Sequence, residues 1–168
     1  MQDSKLSVLP RTPWGERYSG TCEGFLLGVS MERHHKAGCV PYRRTATDTN
    51  QLELLLVSSR KHPNAWVFPK GTVEAGEERR TTAERECWEE AGIHGKIEID
   101  LGNFIHGKTN WQMFSMLLTE VADDFPESTE RQRAFFTLKE ARNRLQWRNV
   151  HISILDAFTA MVASDQPR

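Results

Sequence analysis

No apolar run in this 168-residue chain approaches the ~20 residues that a membrane-spanning helix needs. The N-terminal MQDSKLSVLP lacks the apolar stretch of a secretory signal. Cysteine is scarce: Cys22, Cys39 and Cys87 are odd in number, widely spaced and form no CxxC pair. That excludes a disulfide framework or thiolate zinc site as the organising principle and favours a reducing, intracellular compartment, cytoplasmic or nuclear. Internal repeats and low-complexity tracts are missing, and Asp165-Gln166-Pro167-Arg168 carries no SKL-type peroxisomal address. Net charge is almost absent too, with 22 Lys+Arg against 23 Asp+Glu. Bulk attraction to DNA or a membrane is therefore not expected. What remains is a length suited to one domain with a real core, 38% hydrophobic and 27% charged.

The near-neutral total hides a segregation. Residues 31–70 carry a formal +4, residues 71–90 a formal −4 and residues 131–148 a formal +5. Arg outnumbers Lys, and its planar fork suits bidentate binding of phosphate or carboxylate. Cations and anions handled side by side are the natural reading of an acidic block between two basic ones.

Residues 1–33 have little periodicity and read as an irregular N-terminal arm. A domain is expected over 34–163, followed by a short tail at 164–168. Strands are predicted at 36–42, 52–58 and 65–68, the last ended by Pro69. Residues 45–50 form a polar loop, and Lys70 to Glu78 a glycine-containing one. The helix at 81–91 is predicted with Thr81 as its cap, Glu84 completing a capping box and Gly92 as its stop. Further strands follow at 96–105 and 111–121, a turn-rich connection at 122–130, and helices at 137–147 and 150–163. Such mixing implies α/β layering. Trp66, Phe68, Phe114, Phe135 and Phe136 are expected in the core, polar-flanked Trp111 in the core or at the surface with nucleobase stacking as the alternative, and Trp147 packing the last helices.

Chemistry concentrates in Gly71–Ile93, GTVEAGEERRTTAERECWEEAGI. On a helix Glu86, Glu89 and Glu90 share one face, where three carboxylates repel one another. A hard divalent cation with oxygen ligands removes that cost. Ala83, Cys87 and Ala91 form a separate small-residue stripe suited to packing on a sheet, which makes Cys87 a buried, inert thiol. Arg85 is placed to pair with Glu77 and tie the loop to the helix. Pro69-Lys70-Gly71-Thr72 lacks the G-x4-G-K-[ST] order, so a P-loop is rejected.

The spacing of Gly71, Glu77 and Arg85-Glu86-Cys87-Trp88-Glu89-Glu90-Ala91-Gly92-Ile93 resembles the Nudix box, G-x5-E-x7-R-E-U-x-E-E-x-G-U, at every fixed position. The resemblance implies a Nudix fold, an α/β/α sandwich with a mixed sheet, and hydrolysis of a diphosphate linked to a further group. It also implies that Glu86, Glu89 and Glu90 hold Mg²⁺, with Mn²⁺ as a substitute, joined by a backbone carbonyl of Lys70 or Gly71. Glu90 is the expected base, and Glu77 and Arg85 are structural. The segments AGCVPYR, LLLVSSRKHPNAWVFPKG and FPESTERQRAFF are similar to the diphosphoinositol polyphosphate phosphohydrolase branch, whose members also act on diadenosine polyphosphates and polyphosphate. Where that branch usually has a second glycine, this chain has Thr72.

By that resemblance His35, Lys36, Ser59, Arg60, Lys61, Thr72, Lys108, Arg131 and Arg133 are expected to contact a polyanionic small-molecule substrate in a monomeric enzyme. Arg142, Arg144 and Arg148 read as a solvated helix face. Two other readings stay open: a dinucleoside polyphosphate or polyphosphate hydrolase, and a silent binder of inositol phosphates.

Overall fold

The computed structural model describes residues 34–45 and 51–164. The expected arm at 1–33, most of the 45–50 loop and residues 165–168 lie outside them. Seven strands form one mixed sheet: β1 (His34–Arg44), β2 (Leu52–Ser58), β3 (Trp66–Val67), β4 (Lys70–Thr72), β5 (Ile93–His106), β6 (Thr109–Val121) and β7 (Arg133–Thr137). Helices α1 (Arg79–Ala91), α2 (Leu138–Leu145) and α3 (Asn149–Ser164) cover it. The strand order is β3-β2-β1-β6-β5, with β4 pairing β1 and β7 pairing β2. Only β1 and β6 run parallel; the other pairs are antiparallel.

The central strands are apolar on both sides because both faces of the sheet are covered. Alternation sorts them. Leu55 and Val57 of β2, Ala37 and Cys39 of β1, and Phe114 and Met116 of β6 join Ala83, Cys87 and Ala91 of α1. Leu54 and Leu56, Val40 and Tyr42, and Trp111 and Met113 point the other way, into the layer made with α2 and α3. The small-residue stripe of α1 is fully buried, so the helix lies close on the sheet. Glu86 and Glu90 are thereby turned toward β4.

Helix boundaries follow local chemistry with one correction. α1 starts at Arg79, two residues before the expected cap, and Glu78 at its N-cap makes no side-chain cap bond. Instead of Thr81, the neighbouring Thr82 ties the start down by donating its hydroxyl to Glu77 Oε2 at 2.7 Å. Gly92 ends the helix with φ 61°, a left-handed conformation that costs glycine nothing. The capping box falls on α2, where Thr137 and Glu140 bond reciprocally. Two short strands, β4 inside the expected loop and β7 beside β2, owe their form to pairing partners distant in the chain. No helix among the described residues is long and apolar enough to cross a membrane.

Candidate active site

β4 and α1 meet at Gly71. A Cβ there would lie 1.8 Å from Glu86 Oε1, so only glycine leaves room for that carboxylate against the strand. Glu86 and Glu90 are 9% and 7% exposed. Both are held above the ordinary carboxylate range, chiefly because burial strips water from the charged form. Glu90 is pushed up to about 7. Such burial is tolerable only with partners.

Those partners are guanidiniums and a peptide N–H. Arg85 forks onto Glu77 at 2.9 and 3.0 Å. Its Nη1 donates to Glu86 Oε1 at 2.8 Å and Glu89 Oε2 at 3.1 Å, and its Nη2 to the Thr72 carbonyl at 3.1 Å. One side chain thus joins loop, strand and two carboxylates. The Arg85 hydrogen bond, with help from Thr82, pulls Glu77 down to about 2. Glu90 accepts the Lys70 N–H at 3.1 Å through Oε2 and Arg131 through Oε1.

Arg131 and Arg133 both donate to groups of the chain itself. Arg131 is nearly buried, and its donors go to Glu90, Glu127 and the Ser58 carbonyl. Arg133, expected at the substrate, donates to the carbonyls of Ala91, Gly92 and Ala122 and stacks over Phe125. It locks the C-terminal end of α1, where orphan carbonyls need donors. Arg60 is exposed and paired with Glu127 at 2.9 Å and Glu130 at 3.3 Å.

The other expected contacts spread around the rim. Lys36 pairs in register with Thr72 and lies close enough to Glu86 to favour its ionised form. His35 meets Arg79 at 3.1 Å. Ser59 accepts the His62 N–H, while Lys61 and Lys108 are exposed on turns. Two residues near the site were not anticipated. The Lys70 side chain lies over Trp111, and Arg148 senses Lys70 instead of lying on a solvated helix face. The tripeptide Trp147-Arg148-Asn149 at a helix junction was the available signal, since an arginine beside a tryptophan suits cation–π stacking.

Three carboxylates of α1 with the peptide carbonyls of β4 beside them offer hard oxygen donors, two of them already desolvated. That donor chemistry fits a divalent cation. Among the described residues no three acidic, histidine or cysteine side chains stand grouped as a finished cage, because guanidiniums hold the glutamates.

A carboxylate-bearing helix laid on one face of a mixed sheet, with two helices on the other, is the frame in which the site is held. The NUDIX domain profile matches residues 32–158, and the chain belongs to the Nudix family of hydrolases, which works with divalent cations. It is similar to Nudix hydrolase 17, mitochondrial, of Arabidopsis thaliana, at 38% identity over 72% of this chain and 74% of that protein. Diphosphoinositol polyphosphate phosphohydrolase 2 of Rattus norvegicus is 35% identical over 72% of this chain and 68% of its own. The crystal structure of C. elegans Ap4A hydrolase superposes with a TM-score of 0.55 at 25% identity, covering 77% of this chain and 98% of that one. A NUDIX hydrolase from Nitrosomonas europaea shares the fold, with a TM-score of 0.62 at 20% identity over 77% of this chain and 90% of that one.

Proposed function

We propose that residues 34–163 form a Mg²⁺-dependent hydrolase, with Mn²⁺ able to substitute, that removes the β-phosphate from diphosphoinositol polyphosphates. The observation that carries this reading is the pair of desolvated carboxylates, Glu86 and Glu90, pressed against β4 and surrounded by Lys36, Lys70 and Arg131. The relatives named for diphosphoinositol polyphosphates support the substrate class. Glu86, Glu89 and Glu90, with the carbonyl of Lys70 or Gly71, would hold the cation. When bound, it supplies charge neutralisation at phosphate oxygens and lowers the pKa of a coordinated water.

Within the chain, Glu90 is the proton acceptor. Burial raises its pKa and a bound cation would draw it back down, so its place between Arg131 and the Lys70 N–H carries the assignment. Arg85 orients Glu86 and Glu89, and Glu77 holds Arg85 in turn. Lys36, His35, Lys61, Lys108 and the turn at Ser59 and Arg60 receive phosphates at the rim. A fully phosphorylated inositol carries roughly a dozen negative charges, so several cations must share it. Thr72, exposed beside Lys36, adjusts how deeply the ring seats.

A second reading, dinucleoside polyphosphate hydrolysis, has its own support in the likeness to Ap4A hydrolase. Turnover of diphosphoinositol pentakisphosphate, diadenosine hexaphosphate and polyphosphate, measured side by side, separates the two. Glu90→Gln is expected to keep the fold by circular dichroism while phosphate release falls at least about a hundredfold. Full activity in that variant would remove Glu90 from the mechanism. A silent binder is the outcome if wild type binds these anions and turns over none.

A further inference from the structure

Arg79 is the first residue of α1, where the peptide dipoles of the helix already sum to a partial positive charge. A cation there costs stability unless something else claims it, and α1 has no acid in its first turn. Three neutral acceptors claim it. Its Nη1 donates to Asn103 Oδ1 at 3.2 Å and to Gln112 Oε1 at 2.8 Å, and its Nη2 lies 3.1 Å from His35 Nδ1. One guanidinium thereby ties α1 to β1, β5 and β6.

Strand alternation brings these acceptors together. His35 has the parity of Ala37 and Cys39 on β1, and Gln112 that of Phe114 and Met116 on β6, all four of which pack with α1. Asn103 is the partner of Gln112 across β5 and β6. The apolar layer under α1 thus gives way to polar groups at the helix's first turn. They are braced from further out. Gln112 donates its amide N–H to Asp100 Oδ2, and Asp100 Oδ1 accepts the Gly102 N–H at 2.8 Å. β5 shifts register on either side of Asp100, and bulges of this kind re-aim side chains.

A guanidinium carries donors only. Against Arg79 Nη2, His35 Nδ1 must therefore accept, which leaves the ring hydrogen on Nε2. The His35 ring is exposed, and with His34, Thr72, Glu74, Glu77 and Arg79 it lines a cavity of about 500 Å³. The His35 carbonyl accepts the Val73 N–H at 3.0 Å, so its backbone is fixed beside the end of β4. A free neutral imidazole passes its hydrogen between two nitrogens and turns about its side-chain bonds. This one does neither while the arginine holds it.

We propose that Arg79 is a positioning residue that keeps His35 a hydrogen-bond donor through Nε2 at the rim of the site, with Gln112 and Asp100 bracing the arginine from the bulge of β5. Phosphate oxygens accept hydrogen bonds, so a ring locked as a donor suits them and a ring presenting a lone pair does not. This rests on the reading that His35 receives a substrate phosphate.

Nitrogen-15 NMR of the imidazoles in the full chain, near pH 8 where free imidazole is neutral, reads the tautomer without substrate. Wild type is expected to show His35 with a bare Nδ1 and its hydrogen on Nε2, and Arg79→Gln a mixture of both forms. With diphosphoinositol pentakisphosphate, Arg79→Gln should raise KM about fivefold, the scale of one net hydrogen bond, and leave kcat near wild type. Arg79→Lys keeps the charge and loses the fork, so it should behave as Arg79→Gln does. In a His35→Ala background, Arg79→Gln should add nothing further to KM. Wild-type His35 with its hydrogen on Nδ1 overturns the proposal. So does a KM that Arg79→Gln leaves unchanged, or raises as much in His35→Ala as in wild type, or that lysine fully restores. A tautomer fixed in wild type and released in Arg79→Gln, without turnover of any diphosphate, would uphold the hold on His35 while sinking the proposed reaction.

Discussion

The two faces of the sheet treat charge in opposite ways. Against α1, each carboxylate of the site is matched: Glu77, Glu86 and Glu89 by Arg85, and Glu90 by Arg131 and the Lys70 N–H. Against α2 and α3, Lys70 lies over Trp111, and Arg148 over Trp147 with the His62 ring nitrogen at 3.0 Å. A guanidinium–carboxylate fork fixes atoms and cancels charge, so the first region is built for geometry. A cation over a ring keeps its charge uncancelled, although burial pulls Lys70 down to about 8. Lys70 belongs to both, its backbone bonding Glu90 and its side chain lying over Trp111.

Breaking the first region alone should have the largest effect. Gly71→Ala drives a methyl group onto Glu86, which must move away from its place against β4. Turnover is expected to fall about a hundredfold, the scale that attends displacement of a reacting group by about an ångström. Wild-type turnover in that variant would erase the contrast between the faces.

A smaller effect is expected from the lock between loop and helix. Glu77 is held down at about 2 by Arg85, against an ordinary value of 4.5. A depressed acid contributes stability that is present above the unfolded pKa and disappears as pH falls toward the folded one. Thermal melting of wild type should therefore lie above that of Glu77→Gln at pH 6, with the gap closing between about pH 4.5 and 2. A gap independent of pH would assign the stabilisation to packing instead.

The smallest effect belongs to charge that serves neither face. Arg142 pairs with Asp156 on exposed helix surfaces. Arg142→Gln should cost no more than about 1 kcal/mol in denaturant unfolding and leave KM unchanged. A larger loss would draw that pair into the structural network.

How much of this was readable in advance depended on the distance along the chain over which each feature is made. The strand at 52–58, the buried Ala83–Cys87–Ala91 stripe, the glycine stop at Gly92 and the Glu77–Arg85 pair are all set within a few residues or two turns, and they came through. The cap at Thr81 failed because Thr82 found a better acceptor in Glu77, a competition that propensity does not weigh. Arg131 reaches Glu90 across 41 residues and Arg148 reaches His62 across 86. No local pattern marks such partners. The charge of Arg133 was visible in the sequence, whereas the carbonyls at the end of α1 that it binds were not.

The amino-acid order alone determined the class of chemistry, since Glu86, Glu89 and Glu90 must share a helix face once Gly71 to Ile93 folds as it does. Helical geometry makes that a local necessity. The tertiary structure alone decided which cations serve those carboxylates and which lie over aromatic rings. That choice turns on β4 pairing with β1, and on α3 carrying His151 beneath two tryptophans. Charge is a property of residues; whether it is neutralised or presented is a property of what the fold brings beside them.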